Sequence, residues 1–231
     1  MNNLNKANSL YIILSGVFIA SLVSSNLIFQ KFFQLDIWIP FIGKYTFEQS
    51  VGLLAYPVTF LVTDIISEIY GKEKANQVVT SGLIASLFMV LVVLISDNVA
   101  AASWSPVDGK MFHDVFGLST AAVFASMMAY LFAQYVDIRI FHFWKKLTKG
   151  KHLWLRNNAS TVFSQFIDTF LVLFLLCSLD VIDWSRFSIL LLNGFLFKVF
   201  FAAFDTPILY FFTWYLRKKF NLKCDEDLDK I

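Results

Sequence analysis

From Leu10 to Phe29 the chain runs for twenty residues without a charged side chain. A helix of that length reaches about 30 Å, the thickness of a bilayer's hydrocarbon core. Apolar stretches near 9–29, 50–70, 76–96, 117–142, 158–178 and 187–216 each suffice for one crossing. Backbone groups in lipid must satisfy one another within the segment, so such spans form helices. The first run is too long for a signal peptide and has no small-residue cleavage site, which makes it a retained helix. The expectation is an all-α, polytopic membrane protein with six transmembrane helices. One domain would cover residues 1–223, followed by a short polar tail at 224–231. Only 16% of the residues are charged, against about 25% in a soluble domain. The 27 phenylalanines and 6 tryptophans suit lipid-facing surfaces and interfacial belts.

Lysine and arginine set the orientation. With the N-terminus in the cytoplasm, the inner side holds Lys6, Lys72, Lys74, Lys145, Lys146, Lys149, Lys151, Arg156, Arg217, Lys218, Lys219 and Lys223. The outer side holds Lys31, Lys44, Lys110 and Arg186. This is a positive-inside distribution with both termini cytoplasmic. The last span is long for one crossing, and is expected to tilt or to break near Pro207, whose ring removes a backbone donor. Residues 34–47 in the first outer loop, rich in aromatic and branched side chains around Gly43, read as a short β-hairpin on the membrane surface. Residues 97–116, with Trp104, Pro106, His113 and Asp114, read as an interfacial loop. Cys177 lies in an apolar span and Cys224 in the tail, so no structural disulfide is expected. No cysteine–histidine cluster has metal-ligand spacing.

The charges inside the spans carry the functional argument. Asp168 stands near the middle of the apolar run Thr161–Leu176, where an ionised carboxylate costs about 2.5–3.5 kcal/mol or more. It shares a helical stripe with Asn157, Thr161 and Ser164, with Gln165 beside it, while Val162, Phe163, Phe166 and Phe170 occupy the opposite face. Asp64 and Glu68, four residues apart, share one face of the second span. Lys198 and Asp205, seven apart, share one face of the last. Each has a plainer reading. Hydroxyl and amide stripes also glue helices together, Glu68 also fits a solvated helix end, and Asp168 with Lys198 also fits a purely structural ion pair. The chain contains no HExxH, GxSxG or P-loop pattern. Buried polar chemistry without enzyme signatures points to transport rather than catalysis.

Three blocks carry a resemblance. They are Ser25-Asn26 with YPVTFLVTDIISEIYGKEKA (56–75), AYLFAQYVDIRIFHFW (129–144), and RNNASTVFSQFIDTFLVLF (156–174) followed by Lys198 and Thr206-Pro207. In combination they resemble the queuosine-precursor transporter family, also called vitamin-uptake-like. The resemblance implies a six-helix importer in the bacterial inner membrane for 7-deazaguanine bases, preQ0, preQ1 or queuine, which feed tRNA queuosine modification. It implies no cofactor and no nucleic-acid partner. The expected partners are lipid and a small-molecule base, with a homodimer or an energising subunit as further candidates. The candidate substrate-binding residues are Asn26, Asp64, Glu68, Arg156, Asn157, Gln165, Asp168 and Lys198. A second reading is the substrate-binding subunit of an energy-coupling-factor importer, for which the small residues Gly16, Ala20 and Ser24 would be the coupling stripe. A membrane scaffold is a third, and it would have no need of buried carboxylates.

Overall fold

The computed structural model describes residues 2–40, 43–117, 120–223 and 226–228. Most of the tail expected at 224–231, including Cys224, lies outside the described residues. The elements are α1 (Asn2–Ile28), β1 (Phe32–Ile39), β2 (Gly43–Ser50), α2 (Tyr56–Ile69), α3 (Gly71–Asp97), the short α4 (Gly109–Phe112), α5 (Thr120–Leu147), α6 (Leu153–Ser178) and α7 (Phe187–Phe220). Single 3-10 turns, Val51–Ala55 and Trp184–Arg186, lead into α2 and α7.

Among the described residues, five helical stretches are long and apolar enough to cross a membrane: Asn5–Ile28, Val51–Ile69, Gly71–Asp97, Leu153–Ser178 and Trp184–Phe220. The sixth expected span corresponds to α5, which has the length, 28 residues, but carries Asp137, Arg139, Lys145 and Lys146 in its second half. The chain is an all-α polytopic membrane protein with one small two-stranded sheet.

α2 is the central helix. From Thr59 to Ile69 every residue except Leu61 is buried, so this helix faces protein on all sides. Phe60, Ile65, Ile66 and Ile69 pack against Phe18 and Leu22 of α1, Val78 and Val79 of α3, Tyr130, Ile138 and Phe141 of α5, and Leu209 and Leu216 of α7. The outer helices keep one face for lipid. On α6 this face is Val162, Phe163, Phe166 and Phe170, all exposed, and it lies opposite the polar stripe as the sequence pattern requires. α2 and α3 meet at Tyr70, where Gly71 turns the corner at φ 86°. That left-handed conformation costs glycine nothing because it has no Cβ. The Tyr70 hydroxyl donates to the Ala7 carbonyl at 2.8 Å, fixing the start of α1 to this corner.

α7 runs unbroken through Pro207, so the break expected there does not occur. The Thr206 hydroxyl donates back to the Ala202 carbonyl at 2.9 Å within the turn that loses the proline N–H. At 34 residues the helix is about 51 Å long, well beyond one hydrocarbon thickness.

The hairpin is longer than expected. Its antiparallel register runs from Phe32 opposite Ser50 to Ile39 opposite Gly43, and it packs across the beginning of α7. The Asn193 amide donates to the Glu48 carbonyl at 3.1 Å, the Tyr45 hydroxyl donates to the Asn193 side chain, and Arg186 pairs with Glu48 at 2.9 Å. The 98–117 connection is exposed. Asp108 caps α4 through the Met111 N–H at 2.7 Å, and His113 returns to Asp97 at 2.8 Å. Hairpin and 98–117 connection lie at one end of the bundle. The Tyr70–Ala7 corner and the last turn of α7 lie at the other.

Candidate functional site

Two chambers lie along the interior, one toward the hairpin and one toward the chain termini. The hairpin-side chamber holds about 730 Å³ of free space, part of it open to the surroundings. Its polar wall is Ser25 and Asn26 of α1, Gln49 and Ser50 of β2, Asp168 and Thr169 of α6, and Lys198 of α7. Phe29, Phe32, Leu173 and Leu190 supply apolar wall. The terminus-side chamber spans about 390 Å³, again counted with the space at its open side. Asp64 of α2, Asn157, Thr161 and Gln165 of α6, and Lys198 and Asp205 of α7 line it, with Phe60 and Phe201.

Two residues, Tyr56 and Lys198, line both chambers. The Lys198 ammonium lies 5.0 Å from the centre of the Tyr56 ring, within cation–π range. It also pairs with the Asp168 carboxylate, and both side chains are buried. Tyrosine ring, ammonium and carboxylate together form a charged septum between the chambers. Local sequence puts Tyr56 there. Ser50 caps the 3-10 turn through the Gly52 N–H at 3.2 Å, and Pro57 occupies the start of α2, where its missing donor costs nothing. The Tyr56 ring then meets Tyr130 edge-on at 5.0 Å. Gly194 keeps the hairpin-side chamber open, because a Cβ there would lie 2.8 Å from Gln49 Nε2 and 3.1 Å from Thr169 Cγ2.

The septum is flanked by polar atoms with no hydrogen-bond partner. They are Asp168 Oδ1 and Ser25 Oγ on the hairpin side, and Gln165 Nε2 and Oε1 and Asn157 Oδ1 on the other. Gln165 is fully buried, yet both ends of its amide are unpartnered. Leaving such a group unpaired costs about 1–3 kcal/mol, so its retention needs a reason beyond folding. An array of free donors and acceptors beside an aromatic ring can receive a flat polar heterocycle.

The candidates from sequence therefore divide. Asn26, Asp168 and Lys198 meet in the hairpin-side chamber, and Asp64, Asn157, Gln165 and Lys198 in the other. Asn26 also donates to Ser86 Oγ at 3.5 Å. Asn157 Nδ2 donates to Thr206 Oγ1 at 3.4 Å. Glu68 lines neither chamber. It is 1% exposed, which excludes a solvated helix end, and it pairs with Arg217 at 2.5 Å and Lys145 at 3.5 Å. Lys145 also donates to the Glu68 carbonyl at 3.0 Å. This cluster ties α2 to α5 and α7 at the terminus end. Arg156 sits in the first turn of α6, and its side chain lies outside the described residues. Cys177 is free and buried.

Sequence reasoning missed three polar groups on or beside this site, the half-buried Tyr56 and the buried Asp137 and Gln134. Tyr56 entered the sequence reading only as the first residue of the 56–75 block. Asp137 is 1% exposed and accepts from Ser164 Oγ at 2.8 Å. Its place inside the span expected at 117–142 was the available signal. Gln134 donates to the Tyr130 hydroxyl at 2.6 Å, which donates to Thr59 Oγ1 at 2.9 Å.

Residues 50–212 match the family described as "Putative vitamin uptake transporter". A Bacillus subtilis (strain 168) protein named "Probable queuosine precursor transporter" is 28% identical over 126 residues, 53% of this chain and 53% of that protein. A Haemophilus influenzae protein of the same name is 26% identical over 162 residues, 68% of this chain and 65% of its own length. The chain thus spans about half the length of the first relative and under two thirds of the second. No solved structure matches.

Proposed function

The chain belongs to the vitamin uptake transporter family, and from that premise we propose that it imports a queuosine precursor, a 7-deazaguanine base, across the cytoplasmic membrane. The observation that carries this reading is the set of unpartnered buried polar atoms on both sides of the Tyr56–Lys198–Asp168 septum. A 7-deazaguanine presents a ring N–H beside an exocyclic amino group, and one carboxylate can accept from both. Asp168, with Oδ1 free, is that acceptor. Gln165 can donate to the ring carbonyl and accept from the amino edge, and Asn157 Oδ1 offers a further acceptor. Tyr56 is the wall on which the ring lies. A base arriving from the hairpin side competes with Lys198 for Asp168. As the ammonium and the tyrosine ring give way, it passes to Gln165, Asn157 and Asp64. Catalysis has no part in this.

Import requires the hairpin end to face outward. Twelve lysines and arginines assigned to the terminus side against four on the hairpin side support that orientation, and the start of α1 and the end of α7 share one end of the bundle. Reporter fusions at Lys149 and Lys223 should read cytoplasmic and one at Asp108 external; an external signal at Lys149 overturns the orientation. The function itself is tested in bacteria lacking both precursor synthesis and their own importer. Supplied with preQ0, preQ1 or queuine at low concentration, cells carrying this chain in the membrane should regain queuosine in tRNA. No recovery with any of the three rules the reading out.

One observation favours a second reading, a substrate-binding subunit of an energy-coupling-factor importer. Gly16, Ala20 and Ser24 lie on an exposed face of α1, where a partner helix could approach closely. Co-purification with an ATPase would select it.

A further inference from the structure

Asp137 is a buried carboxylate that the substrate path does not use. It lies on α5 and accepts from Ser164 Oγ of α6 at 2.8 Å; the Ser160 hydroxyl, which donates to the Asn157 carbonyl at 3.1 Å, is its other neighbour on α6. Among the described residues no cation pairs with it, whereas Asp168 has Lys198 and Glu68 has Arg217 and Lys145. On α5 itself the nearest basic groups are Arg139, which is exposed, and His142, five residues beyond Asp137. On α6, Asp168 is committed to Lys198, and Arg156 stands in the first turn. On α2 there are Asp64 and the already paired Glu68. On α3 nothing titrates between Lys74 and Asp97.

We propose that Asp137 is a proton-binding site through which a proton gradient drives the substrate, with Ser160 and Ser164 as the hydroxyls that let it hold and release the proton. This rests on the transport reading above. A serine hydroxyl both donates and accepts. When the carboxylate is ionised, Ser164 donates to it, and Ser160 can turn from the Asn157 carbonyl to do the same. When it carries a proton, the acid O–H donates to one serine, which turns its own hydrogen elsewhere. Either state keeps its hydrogen bonds, and the two differ by one charge inside the membrane. Intramembrane carboxylates of this kind serve as proton relays in pumps and transporters.

The position links the proton to the septum. Ser164 lies on α6 beside Gln165 and one turn from Asp168, so the helix that holds Asp137's partners also holds the septum's carboxylate. On the α5 side, Gln134 stands one turn before Asp137 and donates to Tyr130, whose ring packs edge-on against Tyr56. A base that displaces Lys198 from Asp168 and shifts Tyr56 therefore acts on both helices that hold Asp137. One proton enters from the hairpin side with each base and leaves at the terminus side. The base is chemically unchanged, and no further reactant is needed.

The test uses the purified chain in proteoliposomes with labelled preQ0, the precursor whose side group carries no basic amine. For one proton per base, a gradient of about one pH unit supports accumulation up to about tenfold, and a protonophore should abolish it. In Asp137→Asn the accumulation should disappear while exchange of labelled for unlabelled preQ0 continues. Exchange by the wild type without gradient-driven accumulation, or accumulation driven by sodium instead, overturns the proton site but leaves transport standing. Neither accumulation nor exchange of preQ0, preQ1 or queuine by the wild type overturns transport itself. Accumulation by Asp137→Asn at the wild-type level overturns the proton site. If that variant fails to fold or loses exchange as well, Asp137→Glu decides. Coupled accumulation with a shifted pH dependence supports the site, and an unshifted profile or no accumulation overturns it.

Discussion

Two buried ion pairs use the same chemistry to different ends. At the terminus end, Glu68 is enclosed by Arg217 at 2.5 Å and Lys145 at 3.5 Å, with a further bond from Lys145 to its own carbonyl. That cluster joins three helices and lines no chamber. At mid-bundle, Asp168 meets one cation, Lys198, and keeps Oδ1 unpartnered. That pair lies between two chambers and is flanked by an amide with no partner at either end. A buried charge surrounded by counter-charges holds a fold. One left partly satisfied beside a cavity is poised to exchange its partner.

If that contrast is right, the largest effect belongs to the clamp. Glu68→Gln leaves two buried cations without their carboxylate, and breaking such a pair costs about 3–5 kcal/mol. The expected result, by thermal unfolding in detergent and by yield in the membrane, is a large loss of folded protein. Normal stability with abolished uptake would mean that Glu68 serves the substrate after all. Next comes the septum. Asp168→Asn should weaken precursor binding by about tenfold or more. The double variant Asp168→Asn with Lys198→Met removes both charges, so it should fold yet remain inactive. Recovery of uptake in the double variant would reduce the septum to a structural pair.

Gln165→Leu sharpens the comparison further. It removes an unpartnered buried amide, so stability should hold or rise by about 1 kcal/mol, while precursor binding falls by about tenfold. A stability loss with unchanged binding would show that the amide supports the fold. The smallest effect is expected at the hairpin. Arg186 is 59% exposed in its pair with Glu48, and exposed pairs contribute about 0–1 kcal/mol. Glu48→Gln should leave unfolding temperature and uptake nearly unchanged; a large drop in uptake would make the hairpin part of the transport step.

Much of the fold could be read along the chain because its signals are local. Long apolar runs, a polar stripe against a phenylalanine face on α6, and branched residues around Gly43 each mark their element without reference to the rest. Pro207 left tilt and break both open for the last span, and α7 is continuous because the fold supports it on both sides of the proline. The site was legible only in part. Asp168 and Lys198 announce themselves by their isolation in apolar runs, but which group faces which chamber depends on helix packing. Glu68 reads as a helix-end charge because Lys145 and Arg217 lie 77 and 149 residues away. Asp137 is the instructive miss. It lies inside an expected span as Asp168 does, but with Arg139 two residues on it does not stand alone in an apolar run.

The turn between α6 and α7 has a spectroscopic consequence. Trp184 packs edge-on against Phe174 of α6 at 5.9 Å and, tilted, against Phe187 of α7 at 5.7 Å. Asp183 holds the turn in place through the Ser185 N–H at 2.7 Å. The indole thus bridges the two helices that carry Asp168 and Lys198, at a distance from both chambers' charges. With the other five of its six tryptophans replaced by phenylalanine, the chain would carry a built-in optical gauge. Its emission would report sliding between α6 and α7 in real time, without any label.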